Sequence, residues 1–178
     1  MSLAFIALGS NIGEGLENLV RAWHLLGESN NITLLALSSP YMSKPVTKPE
    51  WLKKGLDVSE HWFTNAVGAV ETSLAPHVLL ETTSGIERDL GRDRASTMNR
   101  AIDLDLIFYD DLILSDETLT LPHPEMHKRH FVLSPLVEIA PDRIHPENGL
   151  TTSQMLRALP FAGKEEIFRA KWVTEAAK

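Results

Sequence analysis

The side chains best suited to chemistry lie in residues 91–105. Gly91-Arg92-Asp93-Arg94 is followed, nine residues after Arg94, by Asp103-Leu104-Asp105, with Arg88 and Arg100 in the same stretch. Side chains alternate along a β-strand, so Asp103 and Asp105 project together while Ile102, Leu104, Leu106 and Phe108 point the other way into a core. Two neighbouring carboxylates repel each other, and a hard cation such as Mg²⁺, held by oxygen ligands and shared with substrate phosphates, relieves that repulsion. The four arginines would meet phosphate oxygens through charge-assisted hydrogen bonds. Together these are the parts of a metal-bound polyphosphate site. A solvated strand face beside a basic loop is the other reading, and the coincidence of the two features favours the first.

Other candidates carry less. Leu121-Pro122-His123 puts a histidine in a constrained loop, with Arg129 and Phe131 following; alone, His123 reads as a surface histidine. His123, His127 and His130 do not read as zinc ligands, because Pro124 interrupts the helix that would align them and no ligand-spacing signature is complete. Gly9-Ser10-Asn11-Ile12-Gly13 lacks the Gly-Lys-Ser/Thr ending of a Walker loop and the Gly-x-Gly-x-x-Gly of dinucleotide folds, so a structural turn is expected. Phe63 and Asn65, on one strand face, offer a ring to stack on a heterocycle and an amide to read its edge; an ordinary half-buried pair reads equally well.

These residues need elements to hold them. The apolar run Ser2–Gly9 predicts a buried strand, and Leu16, Leu19, Val20, Trp23 and Leu26 recur at helical spacing from Gly13 to Gly27. A second strand is expected over Ile32–Ser39, a long surface loop over Lys44–Glu60 and a third strand over Trp62–Glu71. A helix from about Leu74 to Leu90 follows, with Ser73 as N-cap, Pro76 in its first turn and Gly91 past its end. The fourth strand, Ile102–Tyr109, turns at Asp110-Asp111 into a short partner, Leu112–Leu114. The order β-α-β-β-α-β predicts an α+β ferredoxin-like core, with helices on one face of an antiparallel sheet. Pro122–Met126, Arg129–Ile139 and Thr152–Leu159 read as added short helical or irregular pieces. Lys164–Lys178 is weakly amphipathic and either frays or docks.

A chain of 178 residues suits one domain, here 1–178. Its 43% hydrophobic and 23% charged content is that of a soluble globular protein, with no apolar run long enough for a membrane span. The absence of cysteine excludes disulfides and thiolate metal sites. No leader-like segment is apparent, so a cytoplasmic location is expected. The net charge of -7 argues against nucleic-acid binding, so any phosphate partner must be recruited locally by the arginine cluster.

As a set, the residues resemble the 6-hydroxymethyl-7,8-dihydropterin pyrophosphokinase family. The likeness runs through Ala7-Leu8-Gly9-Ser10-Asn11, Asn65-Ala66-Val67 with Glu71-Thr72, Ile86-Glu87, Gly91-Arg92-Asp93-Arg94, Arg100, Asp103-Leu104-Asp105-Leu106, Leu121-Pro122-His123, Arg129 with Phe131, and Pro135-Leu136 with Glu138-Ile139-Ala140-Pro141. The resemblance implies an ATP-dependent pyrophosphate transfer to a pterin alcohol, a step of folate biosynthesis. It implies two Mg²⁺ ions on Asp103 and Asp105, and Arg92 as the arginine of a catalytic loop. It implies ATP contacts at Glu87, Arg94, Arg100, Leu106, Thr120, His123 and Arg129, with His123 also catalytic. For the pterin it implies Phe63 and Phe131 as flanking rings, Asn65 on the edge, and backbone contacts at Ser43 and Val46. ATP and the dihydropterin are the expected partners of a monomer. The chain departs from the family at Thr97-Met98-Asn99-Arg100, where the family has Trp-Gly-Pro-Arg, at the longer Lys44–Trp62 loop, at Phe63 where tyrosine is usual, and at Pro124 after His123 where an aromatic residue is common. A divergent enzyme acting on another pterin, or a non-catalytic nucleotide- or pterin-binding module, is the alternative.

Overall fold

The computed structural model describes residues 1–44, 62–91, 101–159 and 166–172. The N-terminal apolar run forms β1 (Ser2–Ser10), which lies between two antiparallel partners, β4 (Phe63–Thr72) and β5 (Asp103–Tyr109). The other edge of β4 is shared by β2 (Ile32–Leu37) and β3 (Tyr41–Ser43), which pair with successive parts of it. A last strand, β8 (Ile167–Arg169), pairs with β3, so this part of the C-terminal segment docks. The spatial order is β5-β1-β4-β3-β8, with β2 also on β4, and every pairing is antiparallel. The expected β-α-β-β-α-β core is present, its second strand divided before Tyr41 at Pro40, which has no N–H to give a ladder.

Helix α1 (Gly15–Gly27) begins later than expected because Gly13 takes a left-handed backbone, φ 62°, that glycine adopts freely. Asn18 holds the turn closed by donating from Nδ2 to Ser10 Oγ at 3.1 Å and to the Ile12 carbonyl at 2.9 Å. Helix α2 (Pro76–Asp89) has Ala75, not Ser73, at its N-cap. The Ser73 hydroxyl is engaged elsewhere, with Asn31 Oδ1 at 3.1 Å.

Helices cover both faces of the sheet, where the sequence reading expected one. On the first face Ile6, Leu8, Leu104 and Leu106 pack with Leu19 and Leu26 of α1 and with Leu79 and Ile86 of α2. The second face also carries apolar side chains, Phe5, Val67 and Ala69, which must be taken from water. Val132, Leu133 and Leu136 of α3 (His130–Ile139) and Met155 of α4 (Thr152–Ala158) cover them.

Phe108 corrects the expected alternation. Phe5 pairs with Phe108 but the next residue, Ile6, pairs with Leu106, so Ile107 is an extra residue in the strand. The bulge turns Phe108 to the second face, where its ring meets Phe5 edge-on. The expected partner strand at Leu112–Leu114 is also different. Asp110 adopts φ 43° and its Oδ1 receives the Leu3 N–H at 2.7 Å, so the chain leaves the sheet there. The strand that follows, β6 (Leu114–Ser115), pairs instead with β7 (Thr120–Leu121) in a separate hairpin.

Candidate functional site

The polar end of the second face holds the site. Register places Asp103 of β5 opposite Gly9 of β1, and Gly9 opposite Asn65 of β4. Residues opposite one another in adjacent strands share a face, so Asp103 and Asn65 stand on the same side with a residue lacking a side chain between them. Asp105 lies one step along, opposite Ala7 and then Val67. The result is a shallow trough floored by Gly9 and Ala7. Carboxylates line one bank and an amide the other, roughly two strand spacings or about 10 Å apart.

On the amide bank, Asn65 is only 4% exposed, and its Nδ2 points into the protein toward Ser43 Oγ at 3.0 Å, the Tyr41 carbonyl at 3.3 Å and the Phe63 carbonyl at 3.4 Å. Its Oδ1 is thereby turned toward Gly9, 3.5 Å from where a Cβ there would sit. Phe63 pairs with the buried Ser43, so the structure brings Ser43, Phe63 and Asn65 together. Strand β3, not foreseen from the sequence, is steadied by Glu138 of α3. Its carboxylate accepts from Ser39 N–H at 3.1 Å, from Ser39 Oγ at 2.8 Å, from Tyr41 Oη at 3.2 Å and from Arg169 of β8 at 2.8 Å. Three residues between Pro40 and Lys44 are too short for a period to register, which is why this support was not legible.

On the carboxylate bank, Asp103 and Asp105 are half-buried, and His123 joins them from the loop after β7. The His123 N–H donates to the Ile107 carbonyl at 3.0 Å, which docks that loop on the free edge of β5. Its Nδ1 accepts from the Glu125 N–H at 3.1 Å. Burial pushes the His123 pKa down, the Asp105 carboxylate pulls it up and the Arg129 guanidinium pushes it down again; the net direction is down. Arg129 caps α3 and lies over the Phe131 ring, 5.8 Å from its centroid. Thr120 is half-buried on β7.

Two of the expected ATP contacts have buried side chains. The Leu106 side chain is 3% exposed and packs in the first core, on the opposite face from the aspartates, because it alternates with Asp105. A nucleotide on the aspartate side would meet only its backbone. Glu87 is likewise 3% exposed and turned to β5, where its Oε1 accepts the Leu104 N–H at 2.7 Å. Val46, Arg92, Arg94 and Arg100 lie outside the described residues, as does Thr97-Met98-Asn99.

Among the described residues no group of three or more His, Cys, Asp or Glu side chains could hold a metal ion. A carboxylate pair suits a cation that keeps waters and takes its remaining oxygens from a substrate, which is the habit of Mg²⁺. The described residues also contain no helix long and apolar enough to cross a membrane.

A ferredoxin-like α+β sheet with paired carboxylates on an edge strand, facing a buried amide across a glycine, defines the class. The family model for 7,8-dihydro-6-hydroxymethylpterin-pyrophosphokinase matches residues 5–141. A 2-amino-4-hydroxy-6-hydroxymethyldihydropteridine pyrophosphokinase of Methylorubrum extorquens is 39% identical over 94% of this chain and 99% of its own length. That of Haemophilus influenzae is 37% identical over 85% of this chain and 90% of its own. Among solved structures, Plasmodium falciparum HPPK-DHPS superposes with a TM-score of 0.63 at 18% identity, covering 88% of this chain and 43% of that one, a likeness of fold. The chain belongs to the 7,8-dihydro-6-hydroxymethylpterin-pyrophosphokinase family.

Proposed function

We propose that the chain transfers pyrophosphate from ATP to 6-hydroxymethyl-7,8-dihydropterin, giving AMP and the pterin diphosphate for folate biosynthesis. The observation that carries the reading is the shared row Asp103, Gly9, Asn65 across three strands, which sets a phosphate-side carboxylate and a heterocycle-reading amide over one trough. The hydroxymethyl oxygen attacks the β-phosphorus of ATP in line and AMP leaves. Asn65, its Nδ2 already occupied, accepts from an N–H of the pterin edge through Oδ1, and Phe63 and Phe131 flank the ring. Ser43 and Val46 read it through their backbone. Asp103 and Asp105 would hold two Mg²⁺ ions, which supply charge neutralisation on the phosphate oxygens. His123 and Arg129 take the triphosphate with Arg92, Arg94 and Arg100, and Thr120 and the Leu106 backbone contact the nucleotide. The reading is of one domain over 1–178 acting as a cytoplasmic monomer.

AMP release from ATP and Mg²⁺, with and without the dihydropterin, tests it. Asp103→Ala and Asp105→Ala should each lower pterin-dependent AMP formation by about 100-fold or more, as expected when a main support for transition-state charge is removed. Near-normal AMP from both variants would overturn the assignment. No AMP from folded wild-type protein that binds ATP would favour another pterin or a non-catalytic module.

A further inference from the structure

Glu87 is an ionisable side chain buried on the inward side of α2, and one of its hydrogen bonds goes to strand β5. Its Oε1 accepts the backbone N–H of Leu104 at 2.7 Å, and Leu104 is the residue between Asp103 and Asp105. Strand β5 is at the edge of the sheet, so no further strand among the described residues receives that N–H. A buried donor without an acceptor is costly, and a carboxylate is a stronger acceptor than a neutral carbonyl. The bond also ties the strand to the helix at the residue between the two carboxylates. A small rotation of the backbone at Leu104 would swing both carboxylates, because they project from the positions on either side.

We infer that Glu87 is a positioning residue. It holds the Leu104 backbone so that Asp103 and Asp105 stay parallel for a divalent cation, and it acts through β5 without touching the nucleotide. This departs from the ATP contact implied by the family resemblance, and it rests on the reading of the carboxylate pair given above. Removing a group that orients metal ligands from behind commonly costs about 10- to 100-fold in metal affinity or activity.

Two conservative variants separate geometry from charge. Glu87→Gln keeps an oxygen acceptor at the same reach and loses the charge; Glu87→Asp keeps the charge and falls one methylene short of Leu104. Mn²⁺ binding, measured by electron paramagnetic resonance with a non-hydrolysable ATP analogue, and AMP formation at varied ATP are read for both, with wild type and Asp105→Ala as references. Glu87→Gln, which keeps the reach but is the weaker acceptor, should retain more Mn²⁺ binding and more kcat than Glu87→Asp, which should bind Mn²⁺ about tenfold more weakly than wild type and lose kcat with little change in the KM for ATP. Glu87→Asp performing as well as or better than Glu87→Gln would overturn the inference, as would a raised KM for ATP in Glu87→Gln. If Asp105→Ala binds Mn²⁺ as wild type does, the carboxylate-pair reading itself fails, whatever the Glu87 variants do.

Discussion

Gly9 bears no functional group, yet it matters to the site because it is what leaves room between Asp103 and Asn65. A Cβ added at Gly9 would meet Asn65 Oδ1 at 3.5 Å, an ordinary contact, and its backbone is not in the left-handed region. Gly9→Ala should therefore leave the melting temperature almost unchanged while filling the floor of the trough. Crowding that appears only with substrate present is worth about 1–3 kcal/mol, so the KM for the pterin should rise about tenfold or more. Steady-state kinetics beside a thermal melt checks this, and an unchanged KM would mean that the pterin does not lie over Gly9. At this scale strand alternation was informative within each strand: Asp103 was legible as same-sided with Asp105, and Asn65 with Phe63, while the pairing that puts the two sets on one face was not. The tie from Glu87 to β5 was not legible either, because it runs to a backbone N–H 17 residues away, and a backbone donor has no letter in a sequence.

The elements that carry those residues depend on close approaches between strand and helix. Gly68 in the middle of β4 faces α1, and a Cβ there would fall 2.1 Å from Trp23 Cζ3 and 2.7 Å from Cη2. The rigid indole has to move as a body, so Gly68→Ala should cost about 1–3 kcal/mol in urea denaturation. Adding Trp23→Leu to it should destabilise less than the two single changes summed, since the clash goes with the ring. Strict additivity would show that the packing of α1 on β4 does not run through this contact. Long segments such as β1, α1, β4 and α2 were legible because an apolar run or a repeating pattern extends through elements of nine to fourteen residues. The bulge at Ile107, the β6–β7 hairpin and the three-residue strands β3 and β8 were not. Their conformation is set by partners distant in sequence: Phe5 for the bulge, Leu3 for the exit at Asp110, and Glu138 for β3 and β8 together.

Across the whole molecule, acid should unfold the chain in two stages, and the order follows from which groups are buried. His145 is 5% exposed, with its ring edge-on to Phe108 at 5.7 Å, and burial pushes its pKa below the usual 6.5. His123 is lowered as well, by burial first. In both cases the unfolded chain binds a proton more readily than the native one, so stability is lost as pH falls below about 6.5. Glu138 defines the second stage. Burial pushes its pKa up, but the hydrogen bonds from Ser39 and Tyr41 and the charge of Arg169 outweigh this and bring it below 4.5. Its support of β3 and β8 is therefore present at neutral pH and is lost only as pH falls from that value through its lowered pKa. Thermal melts should accordingly show a declining melting temperature between about pH 7.5 and 5.5, before any carboxylate of ordinary pKa protonates. His145→Asn should start lower, because the ring contact with Phe108 is gone, yet decline less steeply over that interval. Glu138→Gln should leave the upper interval unchanged and flatten the curve below about pH 4.5. A wild-type curve level from pH 7.5 to 5.5, or a His145→Asn curve parallel to it, would place the acid sensitivity of this fold outside the segment that covers Phe108.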